Sequence, residues 1–229
     1  MSLLAAAALL FSACATTQQV GVSNQNYCPF LGAELCSKLS NTGTSGRFSA
    51  GPLVDMRYLN PSAQWAKYDK ILLDPVTYWS GDDTKVSPED QQRMVDFFTQ
   101  ALNQQLATKY AIVREPGPGV MTLQVALIDV DSATPVLRTI SMLIPQARAL
   151  ATLKYIATGT YAFIGGAEAE AKIMDSQTHQ VLGAAVDKRV GGGAVSTAAQ
   201  WQWGDAENVM TAWSKQLATR LSDFKAGKM

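Results

Sequence analysis

The sequence predicts a single α/β (α+β) domain: one mixed, mostly antiparallel sheet of about four to six strands with two main helices packed on it. Three observations predict it. Residues 87–109 and 205–224 repeat apolar side chains at helical spacing. Residues 167–188 read as two strand-like runs around a turn, which is the pattern of a hairpin. The chain has 229 residues, 47% of them hydrophobic, which is enough for one real core. It balances 19 Lys and Arg against 19 Asp and Glu. That neutrality excludes the basic footprint of a nucleic-acid binder. One His leaves no material for a His-rich metal site. No metal, no cofactor and no enzymatic activity are expected.

The first elements concern location. Residues 1–33 carry no Lys, Arg, Asp or Glu, and residues 3–11 are continuously apolar. Nine residues are too few to cross a bilayer, which takes roughly 20. They match the apolar region of a secretory signal, so residues 1–13 are expected to be a signal peptide. The run ends in Phe11-Ser12-Ala13-Cys14, which resembles the lipobox of bacterial lipoproteins. Phe11 stands where Leu is usual, and no basic residue precedes the run. The resemblance implies cleavage before Cys14, a diacylglyceryl group on its sulfur and an acylated N-terminus carrying chains such as palmitate. Ala15 is not the Asp that retains such proteins at the inner membrane. The expected location is therefore the outer membrane, lipid-anchored and facing the periplasm. Stable attachment needs at least two hydrophobic chains, and a triacylated Cys14 supplies three. Residues 14–27 are uncharged and largely polar, and are read as a flexible tether. Fully extended, it reaches roughly 40 to 45 Å.

With Cys14 acylated, Cys28 and Cys36 remain. The envelope is oxidising, so a structural disulfide between them is expected. A redox or zinc role is the alternative. The spacing is not Cys-x-x-Cys, and further ligands are lacking.

The domain proper is expected over residues 28–229. Its first part is rich in Gly, Ser, Thr and Asn, with a candidate edge strand over 53–58. Residues 70–76 form a near-continuous apolar run, which predicts a strand buried on both faces, with Pro75 marking an edge or bulge. Ser87 can cap a helix with Pro88 at its first position and Glu89 and Asp90 at its positive end. Met94, Phe97, Phe98, Ala101, Leu102 and Leu106 share its apolar face, and it should end near Lys109. A short strand at Ile112 and Val113, a turn over 115–119, and a strand alternating Met121, Leu123, Val125 and Leu127 follow. Residues 139–158 are read as a core-facing helix, with contact to a partner or lipid surface as the alternative. Ala167, Ala169, Ala171 and Ile173 alternate with Glu168, Glu170 and Lys172, which predicts one solvated face. Residues 175–179 turn, and 181–188 return as the second strand. Gly191, Gly192 and Gly193 begin a loop carrying Trp201 and Trp203. Asp205 caps a last helix with face Val209, Trp213, Leu217, Leu221 and Phe224.

Several stretches together are similar to an uncharacterised bacterial lipoprotein family, domain of unknown function 3313. They are residues 65–76, residues 87–91, Pro116-Gly117-Pro118-Gly119, and a hairpin carrying Glu168, Glu170, Asp175, Thr178, Ala184, Ala185 and Asp187. The resemblance spans about residues 30 to 225. It implies a lipid-anchored periplasmic domain and no known activity. His179 departs from the pattern, since a Gly usually follows that Thr.

Chemistry finds little support. Glu168 and Glu170 fall on one face of a strand, roughly 6.5 to 7 Å apart at Cα, a separation at which paired carboxylates can act on glycosides. The favoured reading is a solvated pair facing Lys188 or Arg189 across the hairpin. A triad would have to use His179, in a turn without a nucleophile elbow. The glycines at 191–193 lack the Lys and Ser/Thr of a phosphate loop. Asp82-Asp83 and Asp129-x-Asp131 lack the spacing of a calcium loop. The expected function is a non-enzymatic structural or protein-interaction module of the envelope, with an envelope protein as partner. The alternatives are a binding module for a lipid, glycan fragment or other small ligand, and a hydrolase using Glu168 and Glu170. A binder requires a concave apolar pocket.

Overall fold

A computed structural model describes residues 18–20, 28–41, 56–79, 86–128, 166–190 and 204–228. Cys14 and the leader, residues 139–158, the glycines at 191–193, Trp201, Trp203 and the pairs Asp82-Asp83 and Asp129-x-Asp131 lie outside the described residues. So does the side chain of Asp205.

The strands are β1 (Gln18–Val20), β2 (Ser40–Asn41), β3 (Met56–Leu59), β4 (Lys70–Leu73), β5 (Thr77–Trp79), β6 (Ala111–Val113), β7 (Val120–Ile128), β8 (Gly166–Asp175) and β9 (Val181–Val190). Among the described residues they form one mixed nine-stranded sheet whose main path runs β2-β3-β9-β8-β7-β4-β6. The α/β expectation holds, while the count exceeds the four to six strands expected. The surplus comes from two- and three-residue strands, too short to show a period. β1 and β3 share one edge of β9, and β4 and β5 share one edge of β7. β1 lies inside the stretch read as tether: Gln18 faces Val190 and Val20 faces Lys188.

The antiparallel half is β2, β3, β9, β8 and β7. β4 is parallel to both β6 and β7, so it is interior, and Ile71 has no exposed surface. The strand ends at Leu73, which leaves Pro75 in the connection to β5. β7 alternates less than its sequence suggests. Eight of its nine residues are buried, on both faces of the strand, and Gln124 is half-buried.

Among the described residues three α-helices accompany the sheet: α1 (Ala33–Cys36), α2 (Pro88–Leu106) and α3 (Gly204–Lys225). The Ser87 Oγ caps α2 by accepting the Asp90 N–H at 3.2 Å, with Pro88 in the first turn. The helix ends at Leu106, about one turn before Lys109, and the chain turns back through hydrogen bonds from Lys109 and Tyr110 to the Leu106 carbonyl. α2 turns Met94, Phe98, Leu102 and Leu106 inward, and α3 turns Val209, Met210, Trp213, Leu221 and Phe224 inward. Both pack on the sheet face made by Leu123, Val125, Leu127 and Ile173.

The opposite face is covered by the segment 28–39. Cys28 and Cys36 are disulfide-bonded, with Cα atoms 5.7 Å apart. This clasp packs Leu31 and Leu35 against Met56, Ala184 and Val186. The face of β8 expected to be solvated therefore lies partly under a lid of chain. Glu170, expected in an exposed pair, has no exposed surface.

Candidate functional site

The strand residues beneath α3 are unusually small. In register across the sheet, Arg57 faces Ala185, Ala185 faces Ala171 and Ala171 faces Val125. The next row is Leu59, Gly183, Ile173 and Leu123. Partners in a row share a face. Ala169, Ala171, Ala185 and Gly183 thus form a low floor, while Trp65, Trp213, Leu217 and Phe224 stand around it. A cavity of about 120 Å³ remains between floor and helix, also lined by Phe98, Leu102, Leu221, Gln216 and Arg220. The floor cannot simply rise at Gly183. A Cβ there would meet Leu59 Cδ2 and the Tyr58 carbonyl at 3.3 Å and the Trp65 ring at 3.5 Å.

Few polar atoms reach this space. The indole N–H of Trp213 donates to Asp187 Oδ2, which ties α3 to β9 beside the cavity. Trp65 is buried against Phe224, ring centroids 5.1 Å apart, and its indole N–H finds no hydrogen-bond partner among the described residues. Arg57 is half-buried on β3 and lines the cavity.

On the far face, Glu170 Oε2 accepts the backbone N–H of Leu31 at 2.9 Å and of Phe30 at 3.1 Å. Burial pushes its pKa up to about 7, against the lowering pull of those two N–H groups, and the nearby Glu168 charge adds to the rise. Oε1 is buried with no partner among the described residues. Phe30, anchored this way, has the Lys172 ammonium 4.7 Å above its ring and Trp79 in an edge contact at 5.9 Å. Glu168 is half-buried and lies opposite Lys188. The two carboxylates are therefore not equivalent. One is closed under the clasp with no surface to offer a sugar, which removes the paired arrangement the hydrolase reading required.

A family model described as a protein of unknown function (DUF3313) matches residues 47–217. The chain belongs to this family. The DUF3313 match omits the disulfide clasp and the last turns of α3. No curated protein matches the chain by sequence. Among solved structures, the chain is similar to the PelC dodecamer from Paraburkholderia phytofirmans, at 10% identity and a TM-score of 0.38, over 70% of this chain and 95% of that one. It is also similar to protein XCC0632 from Xanthomonas campestris, at 11% identity and a TM-score of 0.39, over 75% of this chain and 94% of that one.

Parts of three of the stretches that resemble DUF3313 proteins, residues 67–70, Gly117 to Gly119 and the turn at Asp175, meet at one end of the sheet. Tyr68 donates its hydroxyl to Asp175 Oδ2 at 2.8 Å, and Lys67 pairs with the same oxygen at 3.2 Å. The N–H groups of Asp69 and Lys70 both donate to the Gly119 carbonyl. Gly119 has φ +73°, and a Cβ there would lie 2.9 Å from Asp69 Oδ1, so this position needs glycine. Asp175 also accepts the N–H groups of Gln177 and Thr178 and so builds the hairpin turn. Burial alone would raise the Asp175 pKa, but the Thr178 N–H, the Tyr68 hydroxyl and the Gln177 N–H hold it well below the usual carboxylate range. His179 closes this turn at φ +57° on an exposed position, the left-handed conformation a Gly takes more readily. These residues hold the hairpin turn against the start of β4.

The sequence brought Cys28, Cys36, Glu168 and Glu170 forward. The structure joins the first two and separates the roles of the others. The cavity floor was missed. Its signal is Ala169 and Ala171 on β8 and Gly183 and Ala185 on β9, each pair two positions apart, facing a helix that carries Trp213 and Phe224.

Proposed function

We propose that this chain is an outer-membrane lipoprotein facing the periplasm, anchored through Cys14, whose domain is a non-enzymatic binding module. It takes a small apolar or amphiphilic envelope ligand into the space beneath α3. The observation that carries this reading is the cavity of about 120 Å³ between α3 and a floor of Ala and Gly. The space is somewhat smaller than the apolar cavity of roughly 150 Å³ that holds benzene, which suits a small apolar group, and apolar walls disfavour water. The leader and Cys14 support the location. The envelope also supplies amphiphiles in abundance.

The test uses the full mature chain in a lipid nanodisc and benzene as the apolar probe, read by the methyl NMR shifts of Ala169 and Ala185. Saturable shifts, lost in Ala171→Phe at unchanged fold, support the reading. Probe binding that is non-saturable or indifferent to Ala171→Phe overturns it. The anchor has its own test. Cys14→Ala is expected to release the protein from membranes or leave it unprocessed, and detergent-requiring association of that variant contradicts the anchor.

A protein partner in the envelope is the second reading. It rests on Trp79, 42% exposed and braced against Phe30. Photo-crosslinking from position 79 in cells should capture one partner if this face docks, and none if it does not.

A further inference from the structure

We infer that the anchored domain lies on its own bilayer through one end of the sheet, with Trp79 entering the lipid headgroup region as a second contact to one side of the acyl chains of Cys14. This inference rests on the anchor proposed above and is independent of the cavity.

Chain length places that end. β1 takes up Gln18 to Val20 of the stretch read as tether, so three residues separate it from Cys14. Four Cα–Cα steps span at most about 14 Å, against roughly 40 to 45 Å for the whole stretch. Gln18 faces Val190, so the anchor joins the sheet where β9 ends and β8 begins. β7 and β5 finish at the same end, at Ile128 and Trp79.

Register brings Trp79 there. Val20, Lys188, Glu168, Ile128 and Trp79 form one row across β1, β9, β8, β7 and β5. Four inter-strand steps put Trp79 roughly 19 Å to the side of β1. Among the described residues the exposed large hydrophobics are Trp79 and Ile112. Ile112 belongs to the opposite row, with Ile71, Met121 and Asp175. Seven residues of β7 separate the two rows, about 23 Å.

The chemistry of Trp79 suits a lipid surface. Indole rings favour the boundary between headgroups and hydrocarbon. The Trp79 N–H already donates to Thr77 Oγ1 at 3.0 Å, so the ring leaves water without stranding a donor. Phe30, itself held by Glu170, braces the ring at 5.9 Å, so docking costs little side-chain entropy. A lipid anchor alone lets a domain pivot, and a second contact to one side stops the pivot. A protein on this face is the other occupant, and the test separates the two.

The test uses the mature chain purified from membranes, ¹³C-labelled at isoleucine δ1 methyls, in phosphatidylcholine nanodiscs carrying a gadolinium-chelating lipid. Ile128 and Ile112 report the two ends without any substitution, and are assigned through Ile128→Val and Ile112→Val. Paramagnetic broadening falls with the sixth power of distance, so rows about 23 Å apart predict at least about tenfold more broadening at Ile128 than at Ile112. Trp79→Ser, with an otherwise unchanged methyl spectrum, should reduce the Ile128 effect at least about twofold. Equal effects at Ile128 and Ile112, or an Ile128 effect indifferent to Trp79→Ser, overturn the docking while the anchor stands. Ile128 spared by both the lipid-borne metal and a soluble gadolinium chelate means that a second copy covers this end, which also overturns it. A mature chain that mass spectrometry finds without acyl groups overturns the anchor and the docking together.

Discussion

Glu170 Oε2 accepts the Leu31 N–H at 2.9 Å across 139 residues of sequence, and so fastens the disulfide clasp to the middle of the sheet. The carboxylate is fully buried. It serves two backbone donors that would otherwise lie unpaired under the clasp.

The first prediction concerns pH. Glu170 ionises near 4.5 in an unfolded chain and near 7 in the fold. Between those values the folded state holds a proton that the unfolded state has lost, so stability falls as pH rises through this window. The loss is up to about 3 kcal/mol, complete above pH 7 and absent below about 4.5. Urea unfolding of wild type and Glu170→Gln between pH 4.5 and 8 should show the decline in wild type and a flatter line in the variant. Parallel lines contradict it.

The second concerns the clasp. Opening the Cys28–Cys36 loop removes about 2–3 kcal/mol of loop-closure stabilisation. Reduction by dithiothreitol should lower Tm accordingly. The effects of reduction and of Glu170→Gln should not add, because both loosen the same segment. Full additivity would mean that the carboxylate does not act through the clasp.

The third concerns the cavity rim. Trp213→Phe keeps an aromatic ring but leaves Asp187 without its indole donor. A cost of about 2–3 kcal/mol is expected by urea unfolding. A cost below about 0.5 kcal/mol would mean the pair contributes nothing.

The fourth concerns the hairpin. His179 sits at φ +57°, so His179→Gly should raise stability by about 0.5–1 kcal/mol despite removing a side chain. Unchanged or lower stability contradicts the strain assigned to this turn.

Local patterns were the legible part of this molecule. The Ser87-Pro88 start, the face of Met94, Phe98, Leu102 and Leu106, the hairpin of β8 and β9 and the apolar face of α3 follow from spacing alone, and each is observed. The burial of Glu170 was not legible, because alternation in β8 says which residues share a face but not what covers it. Its cover is the 28–39 segment, brought there by long-range pairing. Phe30, Leu31 and Leu35 already carried the signal that this segment needs an apolar surface of its own. β1, β2 and β5 were too short to have a period. The cavity depends on how α3 packs over Ala169, Ala171 and Ala185, with Trp65 and Trp213 among its walls, and no local motif encodes that packing.

The most direct measurement of ligand binding beneath α3 is methyl NMR of the mature chain, ¹³C-labelled at alanine and held in nanodiscs, as benzene is added. Occupation of the cavity predicts saturable shifts at the Ala169, Ala171 and Ala185 methyls, with alanines of α1 and α2 unmoved. Shifts spread evenly over the labelled methyls, or none at those three, would contradict it.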